Sequence, residues 1–168
     1  MARWAISNKS FTPVAVADTT AFTDNGYLAL QGGSSTQRSN ILEVQLNGLA
    51  GASTPQLMEL ARDSTVAVTS ITAGTNGRGP VALDPSSAAL AAPPLAVGAS
   101  TTKPQRSSTL SLLELGMNAF GGIVRWVAAV GEEIGVLGNT ASLGEVSLSA
   151  FTGGTPGLTS THIIFEPF

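Results

Sequence analysis

Few residues in this chain have the type and spacing that chemistry requires. His162 is the one histidine, and as a general base it would need a nucleophile and an orienting group brought to it by folding. On an extended segment over 161–166 it shares a face with Ile164 and Glu166 and stands opposite Ile163 and Phe165, the pattern of a solvated or interface histidine. Glu132 and Glu133 form the adjacent carboxylate pair, yet neighbours in extended chain point to opposite faces and do not make an acid/base couple. The absence of cysteine excludes disulfides, thiolate nucleophiles and Cys-ligated metals. Asp63 and Asp84 stand alone, and Asp24-Asn25-Gly26 lacks the further acidic positions of a calcium loop, so it reads as a tight turn. The glycine-rich stretches 74–79 and 153–154 lack both the lysine of a P-loop and the strand-to-helix setting of a dinucleotide site. The expectation is a protein that is not an enzyme and carries no cofactor or metal.

Binding chemistry is also thin. Trp126 beside Arg125, with Tyr27 and Trp4, would make a sugar-stacking platform, but Trp126 lies on an apolar face and is expected in the core. The eight Lys and Arg are scattered singly without a basic stripe, so a nucleic-acid partner is not expected. Arg38 and Arg106 are different, because each follows a glutamine and opens a copy of the same stretch. Residues 37–48 read Gln-Arg-Ser followed by an alternating strand, and residues 105–116 repeat the lead-in, the leucines and the closing glycine. Arginine offers a rigid fork for carboxylates and is enriched at interfaces. Arg38 and Arg106 are therefore candidate intersubunit contacts, together with Leu113 and Leu115, which add apolar groups to the second face of the second copy, and with Arg3 and Trp4 near the N-terminus.

These residues need a framework of strands. The 168 residues suffice for one domain, which at this size buries about two thirds of its unfolded surface. Only 11% of residues are charged, against roughly 25% in average soluble proteins. Net charge is −3. An exterior so poor in charge favours self-association, which points to an oligomer or a larger assembly. The first residues lack the apolar core of a signal peptide, and no apolar run reaches the roughly 18 residues of a membrane span, so neither secretion nor a membrane is expected.

Period-2 alternation places Leu42, Val44 and Leu46 on one strand face against Glu43, Gln45 and Asn47. Further strands are expected at 3–7, 11–16, 27–31, 57–61, 66–71, 110–115, 123–130, 133–137, 146–150 and 161–166, with a loop over 73–80. Asp84 as N-cap and Pro85 behind it predict one short connector helix over 86–91, before Pro93 and Pro94 forbid extension. The fold class is all-β, a β-sandwich or jelly-roll-like barrel of about ten short strands. It forms a single domain over 1–168, with related halves around 31–74 and 100–150 and an N-terminal arm or first strand over 1–12.

Several phrases carry a family resemblance. Asn118-Ala119-Phe120-Gly121-Gly122-Ile123-Val124-Arg125-Trp126, Glu132-Glu133-Ile134-Gly135-Val136-Leu137-Gly138-Asn139 and His162-Ile163-Ile164-Phe165-Glu166-Pro167 resemble stretches of capsid decoration, or cement, proteins of tailed bacteriophages. The segments 32–38 and 60–64 fit the same pattern. The resemblance implies a structural virion protein, made in the host cytoplasm, that sits on the capsid exterior as a trimer. Its partner would be the major capsid protein, and residues 3–11 would be an arm reaching onto it. The alternative is a phage fibre, receptor-binding or carbohydrate-binding β-sandwich module.

Overall fold

The computed structural model describes residues 2–17, 21–22, 26–63, 76–88, 90, 95–96, 104–138 and 143–168. Within them the chain is all-β, and its strands are β1 (Trp4–Phe11), β2 (Leu28–Gln31), β3 (Ser39–Gly48), β4 (Pro55–Asp63), β5 (Gly77–Ala82), β6 (Leu95–Ala96), β7 (Arg106–Asn118), β8 (Ile123–Val127), β9 (Ile134–Val136), β10 (Val146–Ala150) and β11 (Thr159–Pro167). They form two antiparallel sheets. The first runs β5-β1-β11-β3-β8, with β9 pairing the opening residues of β3; the second runs β6-β2-β10-β4-β7.

Alternation decides which residues meet. Ile6, Ile41, Val44, Leu46, Ile163 and Phe165 of the first sheet join Leu28, Leu30, Met58, Leu60, Val146 and Leu148 of the second in one buried cluster, the core of a sandwich-like architecture. β11 follows the rule without interruption. Thr159, Thr161, Ile163 and Phe165 are buried, while Ser160, His162, Ile164 and Glu166 are half-buried on the other side, which puts His162 on its expected face.

Register shifts change the face of the repeated strands, one in β3 and two in β7. Ile164 stands opposite Glu43 but Phe165 stands opposite Ile41, so Leu42 is an extra residue in β3. Ile41 therefore joins Val44 and Leu46 inside, and Leu42 moves to the outer side, contrary to the simple alternation. In β7, Leu113 faces Leu60 and Ser111 faces Ala61, leaving Leu112 as the extra residue. Leu113 and Leu115 are consequently partly buried and pack against the core beside Leu60 and Met58.

Other expectations are revised at the edges. Trp4–Phe11 is an interior strand hydrogen-bonded to both β11 and β5, so it is not an arm. The strand expected at 11–16 contributes only its first residue to β1, and Val16 makes a single bridge to Phe151. Part of the expected loop over 73–80 is β5, pulled into the sheet by β1. No helix occurs among the described residues. Asp84 caps a turn instead, accepting from the Ser86 amide at 2.9 Å and the Ser87 amide at 3.0 Å, while positions 89 and 91 lie outside the described residues. The strand expected at 66–71 also lies outside them. The two repeated strands fall in opposite sheets: β3 leads to β4 from the first sheet to the second, and β7 leads to β8 in the reverse direction.

Leu60 is fully enclosed in β4 between β10 and β7, whereas Ile123 is 73% exposed on β8. Leu60→Ala should lower the unfolding free energy by about 2–5 kcal/mol, and Ile123→Ala should change it by no more than about 0.5 kcal/mol. Urea unfolding followed by far-UV circular dichroism measures both, and equal effects would contradict the assigned core.

Candidate functional site

The outer side of the first sheet is open. Its register lines up Val81, Ala5, Ile164, Glu43 and Val127 in one row across five strands, and Arg78, Ser7, His162, Gln45 and Arg125 in the next. At the Val127 end of the first row, Leu42, Leu83, Val127, Val130 and Ile164 border a groove of about 210 Å³ together with the charged Arg3, Glu43 and Glu133. Val81, Leu83, Val127 and Val130 are all at least half exposed. The arrangement is an aliphatic face with a polar row beside it.

The polar row is internally satisfied at one point. Arg125 donates from Nε and Nη2 to the two oxygens of Glu43 at 2.6 and 2.7 Å, and Gln45 also donates to Glu43. The Arg125 fork holds the Glu43 carboxyl well below the usual range, at about 2. His162 is half-buried, and that burial lowers its pKa against the opposing pull of Glu43. Ser7 stands opposite His162 on β1, but no hydrogen bond joins them, so base and hydroxyl are not assembled as a nucleophile.

The outward side of the second sheet is covered over much of β4 and β10, and polar residues fill it. Glu59, Asp63, Arg106, Glu145, Ser147 and Ser149 are all buried. Arg106 leaves the edge strand β7 and donates to the carbonyls of Ala150, at 3.2 and 3.3 Å, and of Val16. Its guanidinium lies between the rings of Phe22 and Phe151, 5.4 and 5.2 Å from their centroids, and 3.5 Å from Glu59. Ser149 Oγ shares its proton between the carbonyls of Val14 and Gly26, fastening the preceding chain to β10. Asp63 and Glu145 form the other part of the cluster. They are neighbours across β4 and β10, with the Asp63 amide donating to the Glu145 carbonyl at 3.1 Å and Ser147 Oγ donating to Asp63 Oδ1 at 2.5 Å. Burial raises Asp63 to about 7 against the lowering pull of Ser147, Glu145 and Arg106. Burial, then the charge of Asp63, raises Glu145 well above its ordinary value.

The residues named from sequence thus separate. Arg38 and Arg3 are exposed. Arg106 and Trp4 are buried within their own chain, 0% and 7% exposed, which corrects their assignment as intersubunit contacts: the free energy of an enclosed guanidinium is recovered from Val16, Ala150 and Glu59, and it has no surface to offer a partner. Leu113 and Leu115 face the core. Tyr27 is also buried and Trp126 packs against the core, so no Trp or Tyr forms a sugar-stacking platform. Sequence reasoning missed the Glu59–Asp63–Glu145 cluster, because alternating charged residues on a strand normally face water. The available signal was the run Glu145-Val146-Ser147-Leu148-Ser149-Ala150, whose outward positions are small enough to be covered.

Among the described residues no group of three or more His, Cys, Asp or Glu converges as a metal site, and no helix is long and apolar enough to cross a membrane. The molecule is an all-β, two-sheet protein with one open aliphatic face and one buried ionic layer. It matches no protein-family model, no curated protein and no solved structure.

Two measurements check these assignments. Arg106→Ala should destabilise the fold by about 3–5 kcal/mol in urea, since it leaves buried acceptors and Glu59 without the cation, whereas Arg38→Ala should leave the unfolding midpoint unchanged. Stability should also fall as pH rises. The folded state retains protons on Asp63 and Glu145 that the unfolded chain has lost above about pH 4, so the contribution is lost progressively until Asp63 ionises near 7. The decline between about pH 5 and 7 should approach about 1.4 kcal/mol per pH unit for each retained proton, and Glu145→Gln should make it shallower. Glu43 opposes this only below pH 4.5, where its stabilisation is lost as pH falls toward about 2.

Proposed function

We propose that this protein is a structural component of a bacteriophage particle that binds the outside of the capsid and stabilises it by bridging capsid subunits, without catalysis. The observation that carries this reading is the open face of the first sheet, where Val81, Leu83, Val127 and Val130 present aliphatic surface in a chain with 11% charged residues. Burying such a face against a partner removes apolar area from water at about 25 cal/mol per Å². The phage-like phrases in β8, β9 and β11 supply the identity of the partner, a major capsid protein, and the location on the virion exterior. A homotrimer belongs to the same reading.

The strand order supports a finer description of the fold. Setting aside the edge strands β5 and β6 and the side strand β9, the two sheets run β1-β11-β3-β8 and β2-β10-β4-β7. Eight strands so interleaved are what two Greek keys wrapped into a jelly roll would produce, an architecture used by viral capsid and lectin domains.

A second reading draws on a groove of about 410 Å³ over β4 and β7, lined by Leu57, Glu59, Ser107, Thr109, Ser111, Glu114 and Phe151. Hydroxyls, carboxylates and one aromatic ring suit a carbohydrate. Burial of Trp4 and Tyr27 leaves only Phe151 to stack a sugar there, which makes this the weaker reading.

Purified protein mixed at micromolar concentration with undecorated capsids should co-sediment, and mass-resolved size exclusion should give three chains per particle of free protein. The double variant Leu83→Asp with Val127→Asp should keep its circular dichroism spectrum and lose at least tenfold in capsid affinity. Absence of wild-type co-sedimentation, with retention on a glycan array, would transfer the assignment to carbohydrate binding.

A further inference from the structure

β5 and β6 end the two sheets on one side of the sandwich and touch each other there, so β8 and β7 end them on the other. The interior strands β4 and β10 enclose their inward apolar side chains completely: Met58, Leu60, Val146, Leu148 and Ala150 are all 0% exposed. The inward leucines of β7 are not finished in this way. Leu113 and Leu115 pack against the core yet stay partly exposed, as do Val124 and Trp126 on β8. The core is therefore thinly covered along one side, where the last strands of both sheets lie.

β7 is the longest strand of the second sheet, with 13 residues. It pairs with β4 along one side and has no described strand along the other, so a row of main-chain N–H and C=O groups points away from the sheet. Edge strands are commonly blunted by proline, by lysine or by brevity. β7 contains neither residue, and Glu114 is its one carboxylate. The shifts between Asp63 and Leu60 of β4 make the first half of β7 irregular, but residues 113–118 keep an uninterrupted register, from Leu113 opposite Leu60 to Asn118 opposite Pro55. Main-chain groups at strand spacing are matched by the main chain of another extended segment.

We propose that β7 pairs antiparallel with β7 of a second copy of this chain, joining the two second sheets across a two-fold axis at Leu115. The strand is self-complementary in this register. With Leu115 opposite its own copy, Leu113 falls opposite the second copy's Met117, so every inward pair is apolar and the partly exposed leucines gain a covering layer. On the outward side Glu114 meets the second copy's Gly116, whereas an axis at Glu114 would set two carboxylates face to face. Ten residues of strand are about 33 Å long and two packed sheets with their side chains about 20 Å thick. This side of the sandwich thus offers on the order of 600 Å² per copy, at the lower end of standard interfaces. The contact is isologous and closes on itself. It is separate from the aliphatic face of the first sheet and does not rest on the capsid reading: alone it gives two chains, and combined with a trimer it gives six.

The test is size exclusion with light scattering on the full chain at concentrations up to about 100 μM, since interfaces of this size hold at micromolar levels or tighter. The mass should correspond to two chains, or to six where a trimer also forms. One or three chains at the highest concentration would overturn the pairing and leave the β7 edge to an extended segment of a different protein. Gly116 tests the register. A Cβ added there meets nothing within 4 Å, and its φ lies outside the left-handed region, so replacement keeps the fold. Gly116→Glu places like charges opposite one another twice and should weaken the association at least tenfold. Gly116→Lys should tighten it through Glu114 of the second copy, and Glu114→Lys combined with Gly116→Glu should restore it. Equal effects of Gly116→Glu and Gly116→Lys would overturn the axis at Leu115. Unchanged circular dichroism in each variant separates loss of pairing from loss of fold.

Discussion

Strands buried on both faces must satisfy their polar side chains against one another, and β4 and β10 of the second sheet are built under that constraint. Met58, Leu60, Val146 and Leu148 fill its inner side, while the outward positions Glu59, Asp63, Ser147 and Ser149 are buried as well. Arg106 makes this tenable at one end. Its guanidinium ties β7 to β10 through the Ala150 carbonyl, reaches the preceding chain through Val16, and lies between Phe22 and Phe151. Removing a cation from such a place costs far more than removing one from the surface, because the groups left behind are no longer reachable by water.

The two sheets consequently divide the work of the molecule. The second buries most of its polar side chains within its own chain, and its ionic layer sets how stability responds to pH. The first keeps an outer side free, with Val81, Leu83, Val127 and Val130 exposed and Arg125 locked to Glu43 beside them. An arginine already held by a bidentate carboxylate loses less on desolvation than a solvated one, so the polar row does not prevent the aliphatic row from being covered by a partner. The proposed contact and the buried ionic layer thus lie on different sheets.

Much of the framework was legible in the sequence. β2, β10 and β11 fall close to where period-2 alternation put them, and Val124 and Trp126 share the face opposite Arg125 as expected. The bulges were only partly legible. The apolar pattern at Leu113 and Leu115 admitted either a bulge or a second covered face, and pairing with β4 selected the bulge. Nothing local marked Leu42 as an extra residue, because its displacement is imposed by the register of β11. β5 was hidden for a similar reason: Gly77, Gly79 and Pro80 are poor strand formers, and pairing with β1 overrides that preference.

The candidate sites were harder to read. Composition and alternation determined that this is an all-β chain, because side-chain direction on a strand has a period of two and apolar residues must find one another. They also showed that Arg38 and Arg106 occupy matching places in a repeated stretch. Which of the two is solvated and which is enclosed was decided only by tertiary structure, which puts β3 in one sheet and β7 in the other. The same holds for Asp63 and Glu145, which lie far apart in sequence and become neighbours because β10 pairs with β4. Burial and charge balance belong to the assembled layer and are not properties of any single strand.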